Sequence, residues 1–273
     1  MVECYVNDLF VKEDGTGHPM LLIHGGCGHA DVWGDSFSRL AAYGRVIAYD
    51  RRGYTRSRRP PTANHHSHGQ DAAALLEQLS ADPATVVGWS SGGIVALDLA
   101  LDHPELVTSL VLVEPTYMML RSASIGFYGA VARLLAAQLL RQPERGTRSF
   151  LRWVNSLSSG GSAFDRLDED LRRSLISNSR ALAVDFFRPT LALGSGEYLR
   201  RRIAEIRCPV ALMRAEMSEP TLQRCSERLQ KALPQTEVVY VPKTSHSLVL
   251  ERPDLFVSTV RAMAERAAAV EPA

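Results

Sequence analysis

A chain of 273 residues that is 45% hydrophobic can bury one substantial core, and its 31 basic and 30 acidic residues leave a net charge of +1, which offers no electrostatic footprint for nucleic acid. The four cysteines (Cys4, Cys27, Cys208, Cys225) are irregularly spaced with no Cys-x-x-Cys pair, which speaks against a disulfide framework or zinc site and for a reducing compartment. No apolar run approaches the ~18 residues of a membrane span, and Glu3, Asp8, Lys12, Glu13 and Asp14 interrupt the apolar core a signal peptide needs, so a cytoplasmic chain without a membrane partner is expected.

Residues 2–6 and 9–13 read as two short strands around the turn pair Asn7-Asp8. Met20, Leu21, Leu22 and Ile23 form a continuous apolar run, as in a strand buried on both faces, which ends in His24-Gly25-Gly26-Cys27-Gly28. His24 is expected to brace that turn by hydrogen bonding. Residues 45–50 form the next strand, followed by Asp50-Arg51-Arg52-Gly53-Tyr54-Thr55-Arg56-Ser57. Arg51, Arg52, Arg56, Arg58 and Arg59 read as a solvated loop. His65, His66 and His68 crowd another loop, and without carboxylates at ligand spacing no metal site is expected there. A helix over 71–79 follows, with Ala72, Leu75, Leu76 and Leu79 on one face.

The β-branched run at 85–87 leads into Gly88-Trp89-Ser90-Ser91-Gly92-Gly93 and then a helix over 92–103. Gly88 and Gly92 remove side chains that would collide in a tight strand-to-helix corner, so Ser90 is held out as an exposed nucleophile. The next strand, 109–113, ends in Glu114-Pro115, which puts a carboxylate at the edge where parallel sheets collect their sites. Residues 116–206 break the strand–helix alternation with predicted helices at 125–141, 147–157, 168–187 and 196–206. Alternation resumes with a strand over 209–213, a helix over 221–233 and a strand over 237–241. Thr244-Ser245-His246-Ser247 and a terminal helix beginning around Leu250-Glu251-Arg252-Pro253 complete the chain.

The His24-Gly25-Gly26 loop with Trp33 downstream, the Asp50 to Ser57 connection, the Ser90 corner and the His246 segment together resemble the α/β-hydrolase superfamily over nearly the whole chain. Thr55 and Ser245 stand where that family usually has glycine. The resemblance implies an α/β fold, a mostly parallel sheet with helices on both faces, whose core spans 1–115 and 207–273 and whose helical cap spans 116–206. It implies Ser90 as nucleophile, His246 as base, and the backbone N–H groups of Gly26 and Ser91 as the oxyanion hole. Trp89, Met118, Trp153 and Phe187 are the candidate pocket residues, with Met119, Phe127 and Phe186 as further apolar candidates.

The family's commonest acid position falls on Ser218, with Glu216 and Glu219 close by. Glu114 is the better candidate, because haloalkane dehalogenases and zearalenone lactone hydrolases supply the acid from the strand after the nucleophile's helix. The implied chemistry is hydrolysis of a carboxylic ester or lactone of a largely apolar small molecule through an acyl-enzyme, with no metal or organic cofactor. Carbon–carbon bond hydrolysis, a cyclase or lyase role on a polyketide, and a weakly catalytic binder remain alternatives on the same residues. A serine nucleophile argues against dehalogenase or epoxide hydrolase chemistry, which uses aspartate at that position in this superfamily.

Overall fold

Apolar runs long enough for one strand each, separated by amphipathic helices, form a single sheet in the computed structural model, which describes residues 1–62, 64–192 and 195–269, with the side chains of 65 and 186–196 outside that description. The strands are β1 (Val2–Val6), β2 (Leu9–Asp14), β3 (Pro19–Ile23), β4 (Arg45–Tyr49), β5 (Ala84–Trp89), β6 (Val107–Val113), β7 (Val210–Ala215) and β8 (Glu237–Val241). Their spatial order is β1-β2-β4-β3-β5-β6-β7-β8. The β1–β2 and β2–β4 pairs are antiparallel, and every pair from β4 onward is parallel.

Side-chain alternation along the central strands divides the interior between the two faces of the sheet. Met20, Leu22, Val87, Val111 and Val113 face one core, while Leu21, Ile23, Val86, Leu110 and Leu112 face the other. The second is covered by α2 (His65–Gln78) and α3 (Ser91–Asp102). The first is covered by α1 (Asp35–Ala41) and the C-terminal helix (Pro253–Ala268).

Between β6 and β7 the described chain is helical: α4 (Met119–Ser122), α5 (Ile125–Leu139), α6 (Pro143–Val154), α7 (Glu169–Ser177), α8 (Ser179–Ala192) and α9 (Ser195–Arg202). After β7 come α10 (Pro220–Ala232), α11 (Leu248–Glu251) and α12 (Pro253–Ala268). Two departures from the expected elements have clear causes. The loop histidines belong to the first turn of α2, because Asn64 caps the helix by accepting from the His66 N–H at 3.2 Å. The single helix expected over 168–187 is two, interrupted at Asn178, whose side chain is committed to the loops after β3 and β4: it accepts from Thr55 N–H (2.9 Å) and donates to the carbonyls of Cys27 (3.0 Å) and Gly28 (3.2 Å).

Candidate active site

Ser90 lies between β5 and α3 with φ 57° and ψ −120°, a left-handed conformation that a non-glycine residue holds only where its surroundings impose it. The imposing contacts come from its glycine neighbours. A Cβ on Gly88 would stand 2.6 Å from the Gly92 carbonyl oxygen, and one on Gly92 would stand 2.6 Å from the His24 carbonyl oxygen and collide with that of Ile23. Both positions therefore admit only glycine. The Ser91 N–H sits in the first turn of α3, where helix geometry provides no carbonyl partner.

The Gly25–Gly28 loop crosses in front of this corner. A Cβ on Gly25 would lie 3.6 Å from Ser90 Oγ, and one on Gly26 would lie 3.8 Å from Ser91 Oγ, so the two hydroxyls face successive residues of the loop. His24 is fully buried beneath it, its Nδ1 bonded to the Gly25 carbonyl at 2.7 Å and its Nε2 accepting from Arg51 N–H at 2.9 Å. Burial, reinforced by the neighbouring Arg51 charge, holds the His24 ring well below the usual imidazole range, as suits a neutral brace.

Glu114 ends β6 with φ 44° and is fully buried. Its Oε1 accepts from Ala215 N–H at 3.0 Å, and its Oε2 accepts from the Ser218 hydroxyl and from His246 Nδ1, the latter at 3.2 Å. Ser218, in the slot where the superfamily commonly has its acid, thus serves as a donor to a carboxylate supplied from the neighbouring strand. Glu216 instead accepts from Lys243 N–H at 2.8 Å. Glu219 is the N-cap of α10, accepting from Thr221 N–H at 2.6 Å and from the Ser124 hydroxyl. Neither carboxylate is bonded to His246 in the described contacts.

The His246 loop is pinned from several sides. Trp89 Nε1 donates to the His246 carbonyl at 3.0 Å, and Trp89 continues through Trp33 (6.0 Å between ring centroids) to Phe256 (5.6 Å) in a ladder of aromatic contacts. Ser245, in place of the family's usual glycine, donates to Glu251 from both N–H (2.9 Å) and hydroxyl. Ser247 donates to Asn155 Oδ1 at 2.6 Å. With Nδ1 held by Glu114, Nε2 is the ring nitrogen left for proton transfer. Among the described contacts Ser90 Oγ makes no hydrogen bond to it, a bond that in unliganded sites often tightens only with substrate.

Ser90, Ser91, Gly26, Trp89, Met118 and His246 all line one cavity of about 370 Å³, whose other walls include Val32, Ile94, Leu151, Leu175 and Leu182. Trp153 does not line it. Its ring packs in the interior of the α5–α6 pair, 5.7 Å from Phe127 and 5.4 Å from Phe150, and Phe150 reaches the cavity in its place. The side chains of Phe186 and Phe187 fall outside the described residues.

The solvated-loop reading of the arginine run holds for the exposed Arg58 and fails for three others. Arg51 is fully buried and pairs with Asp185 of α8 at 2.9 Å, Arg52 pairs with the buried Asp71 at 2.5 Å, and Arg56 pairs with the buried Asp50 at 2.8 Å. Asp50 stands in the same loop, 6 positions from Arg56, and Asp71 is 19 from Arg52, whereas Asp185 is 134 positions from Arg51, so that pair in particular could not be read from the sequence.

A serine on a strand-to-helix corner, a histidine beyond the last strand and a buried carboxylate at a parallel strand's end, gathered on the carboxyl edge of one sheet, define a hydrolase of the α/β fold. The model of the alpha/beta hydrolase family matches residues 20–259, and the chain belongs to that family. It is 30% identical over 263 residues to a pimeloyl-[acyl-carrier protein] methyl ester esterase of Chromobacterium violaceum, covering 94% of this chain and 97% of that one. A shorter match, 38% identical over 109 residues, spans 39% of this chain and 40% of the uncharacterized hydrolase YraK of Bacillus subtilis. Among solved structures, Est816, described as an N-acyl homoserine lactone degrading enzyme, superposes with a TM-score of 0.76 at 20% identity, covering 96% of this chain and 99% of that one.

Proposed function

We propose that the chain is a serine hydrolase that cleaves a carboxylic ester or lactone of a largely apolar small molecule through an acyl-enzyme, without metal or organic cofactor. The observation that carries this reading is the His246–Glu114 bond at the wall of the cavity that Ser90 also lines. Ser90 Oγ attacks the carbonyl carbon while His246 Nε2 takes its proton, and the carbonyl electron pair moves onto oxygen. Glu114 fixes the ring through Nδ1 and balances the imidazolium charge. The N–H groups of Gly26 and Ser91 meet the oxyanion. Collapse of the adduct expels the alcohol, which leaves with the proton from Nε2. Water then repeats the sequence on the acyl-enzyme and frees Ser90.

The helical segment 116–206 acts in this reading as a cap that roofs the cavity, with Met118 against the substrate and Trp89 bracing the histidine loop. The relatives support the substrate class: one is named for a methyl ester and the fold neighbour for a lactone, both esters attached to an acyl chain. Apolar walls such as Ile94, Leu151 and Leu182 suit such a chain.

Incubation with a fluorophosphonate is expected to label Ser90 stoichiometrically, with labelling lost in Ser90→Ala. A panel of aryl esters, acyl methyl esters, N-acyl homoserine lactones, macrocyclic lactones and a β-diketone then fixes the bond type. Absent labelling, with tight binding of panel members, would make the chain a binder; turnover of the diketone alone would make it a carbon–carbon hydrolase.

A further inference from the structure

The geometry points to the Ser91 hydroxyl as a third donor to the oxyanion, set in direction by the buried Arg51, an inference that rests on the serine-hydrolase reading above. Ser91 and Ser90 are both only partly buried in an otherwise buried stretch, and both open into the cavity. Ser91 Oγ lies over Gly26, 3.8 Å from where a Cβ on that residue would stand, and so borders the space between the two backbone N–H groups assigned to the oxyanion. Arg51 Nη2 donates to Ser91 Oγ at 3.2 Å. A hydroxyl that accepts from a guanidinium, which has no acceptor of its own, keeps its single proton for donation, and the adjacent positive charge makes that proton a stronger donor.

Arg51 is itself held on three sides. Its N–H donates to His24 Nε2 at 2.9 Å, its Nη2 also reaches Asp185 Oδ2 at 2.9 Å, and its guanidinium lies over the Tyr54 ring, 4.8 Å from the centroid. Tyr54 in turn donates to the same Asp185 oxygen at 2.7 Å. Asp185 lines the cavity from α8, so the direction of the Ser91 hydroxyl depends on an ion pair between that helix and the loop after β4. Arg51 is therefore a positioning residue, and Ser91 a catalytic one by its side chain as well as its backbone.

The test compares the parent chain with Ser91→Ala and Ser91→Thr on p-nitrophenyl butyrate, alongside affinity for a trifluoromethyl ketone, whose serine adduct carries a tetrahedral oxyanion. Ser91→Ala keeps the backbone donor and is expected to lower kcat about 10²-fold with little change in KM. Affinity for the ketone should fall by the same factor as kcat/KM, and Ser91→Thr, which keeps a hydroxyl, should recover most of both. Arg51→Lys should lower kcat in the parent but add nothing to Ser91→Ala, because both act through one hydroxyl. Fluorophosphonate labelling of Ser90, followed in every variant, reports the parent reading separately. Intact labelling with kcat in Ser91→Ala within about threefold of the parent would overturn the third donor alone. Additive losses would overturn the role of Arg51, and failure to label the parent would remove the reading and the inference together.

Discussion

Three carboxylates near the histidine loop differ in what reaches them. Glu114 takes the imidazole, a hydroxyl and a backbone N–H, whereas Glu219 is spent on the first turn of α10 and Glu216 on the Lys243 N–H. Glu114→Gln preserves shape but presents an amide to Nδ1, so its kcat is expected to fall by about 10²–10⁴ with circular dichroism unchanged. Glu219→Gln should leave kcat close to the parent and cost on the order of 1 kcal/mol in urea unfolding, since it weakens a cap. A comparable loss of kcat in Glu219→Gln would overturn the assignment of Glu114. The serine that stands at the superfamily's usual acid position looked, in the sequence, like a missing acid. It is a donor to Glu114, and that was hidden because the two residues are 104 positions apart.

Glycine spacing and helix caps govern the elements around the site. Gly92 packs against the carbonyl oxygens of Ile23, the last residue of β3, and of His24 just beyond it, so Gly92→Ala must push two backbone segments apart. Its expected cost is at least several kcal/mol, read as loss of soluble folded protein or a large drop in urea midpoint. Gly34→Ala, where nothing lies within 4 Å of the added methyl, carries only the conformational penalty of φ +51° with ψ −136° and should cost about 1–3 kcal/mol.

The α2–α3 interface carries a different liability. Asp98 on α3 is buried, and burial together with the neighbouring Asp102 charge pushes its carboxyl from 3.8 up to about 6. A raised folded-state value means that the native state binds the proton more tightly than the unfolded chain, so the penalty sets in as pH rises from about 3.8 through about 6. Asp98→Asn is accordingly expected to raise the melting temperature at pH 7.5, by a stabilisation on the order of 2 kcal/mol, and to lose that advantage at pH 4. Equal effects at the two pH values would show that the burial of Asp98 is not what limits this interface.

Across the molecule, the core and the helical segment are joined by a few polar contacts set among apolar ones. The fully buried Arg51–Asp185 pair and the Asn178 side chain both bridge from the segment to the two loops beside Ser90. Asp185→Leu removes the partner of a buried cation and is expected to cost about 3–5 kcal/mol in urea unfolding. An undiminished unfolding free energy would mean that Arg51 does not depend on this pair.

The order of strands and helices, the Ser90 corner and the bracing role of His24 were legible in the chain, because each follows from local sterics: apolar runs of strand length, glycines where no Cβ fits, a histidine beside a tight turn. Glu114 was legible as a strand-end carboxylate. Which aromatic residues face the cavity was not, since Trp153 and Phe150 lie on one helix and only the packing of α5 against α6 turns one inward and the other toward the cavity. The arginine run misled for a related reason: a charge reads as solvated until its partner is known, and Asp185 lies 134 residues from Arg51. Sequence alone thus determined the sheet and the Ser90 corner, both products of short-range backbone geometry. Tertiary structure decided which acid meets His246 and which cation is buried beside Ser91, because those are distances through space between residues that the chain holds far apart.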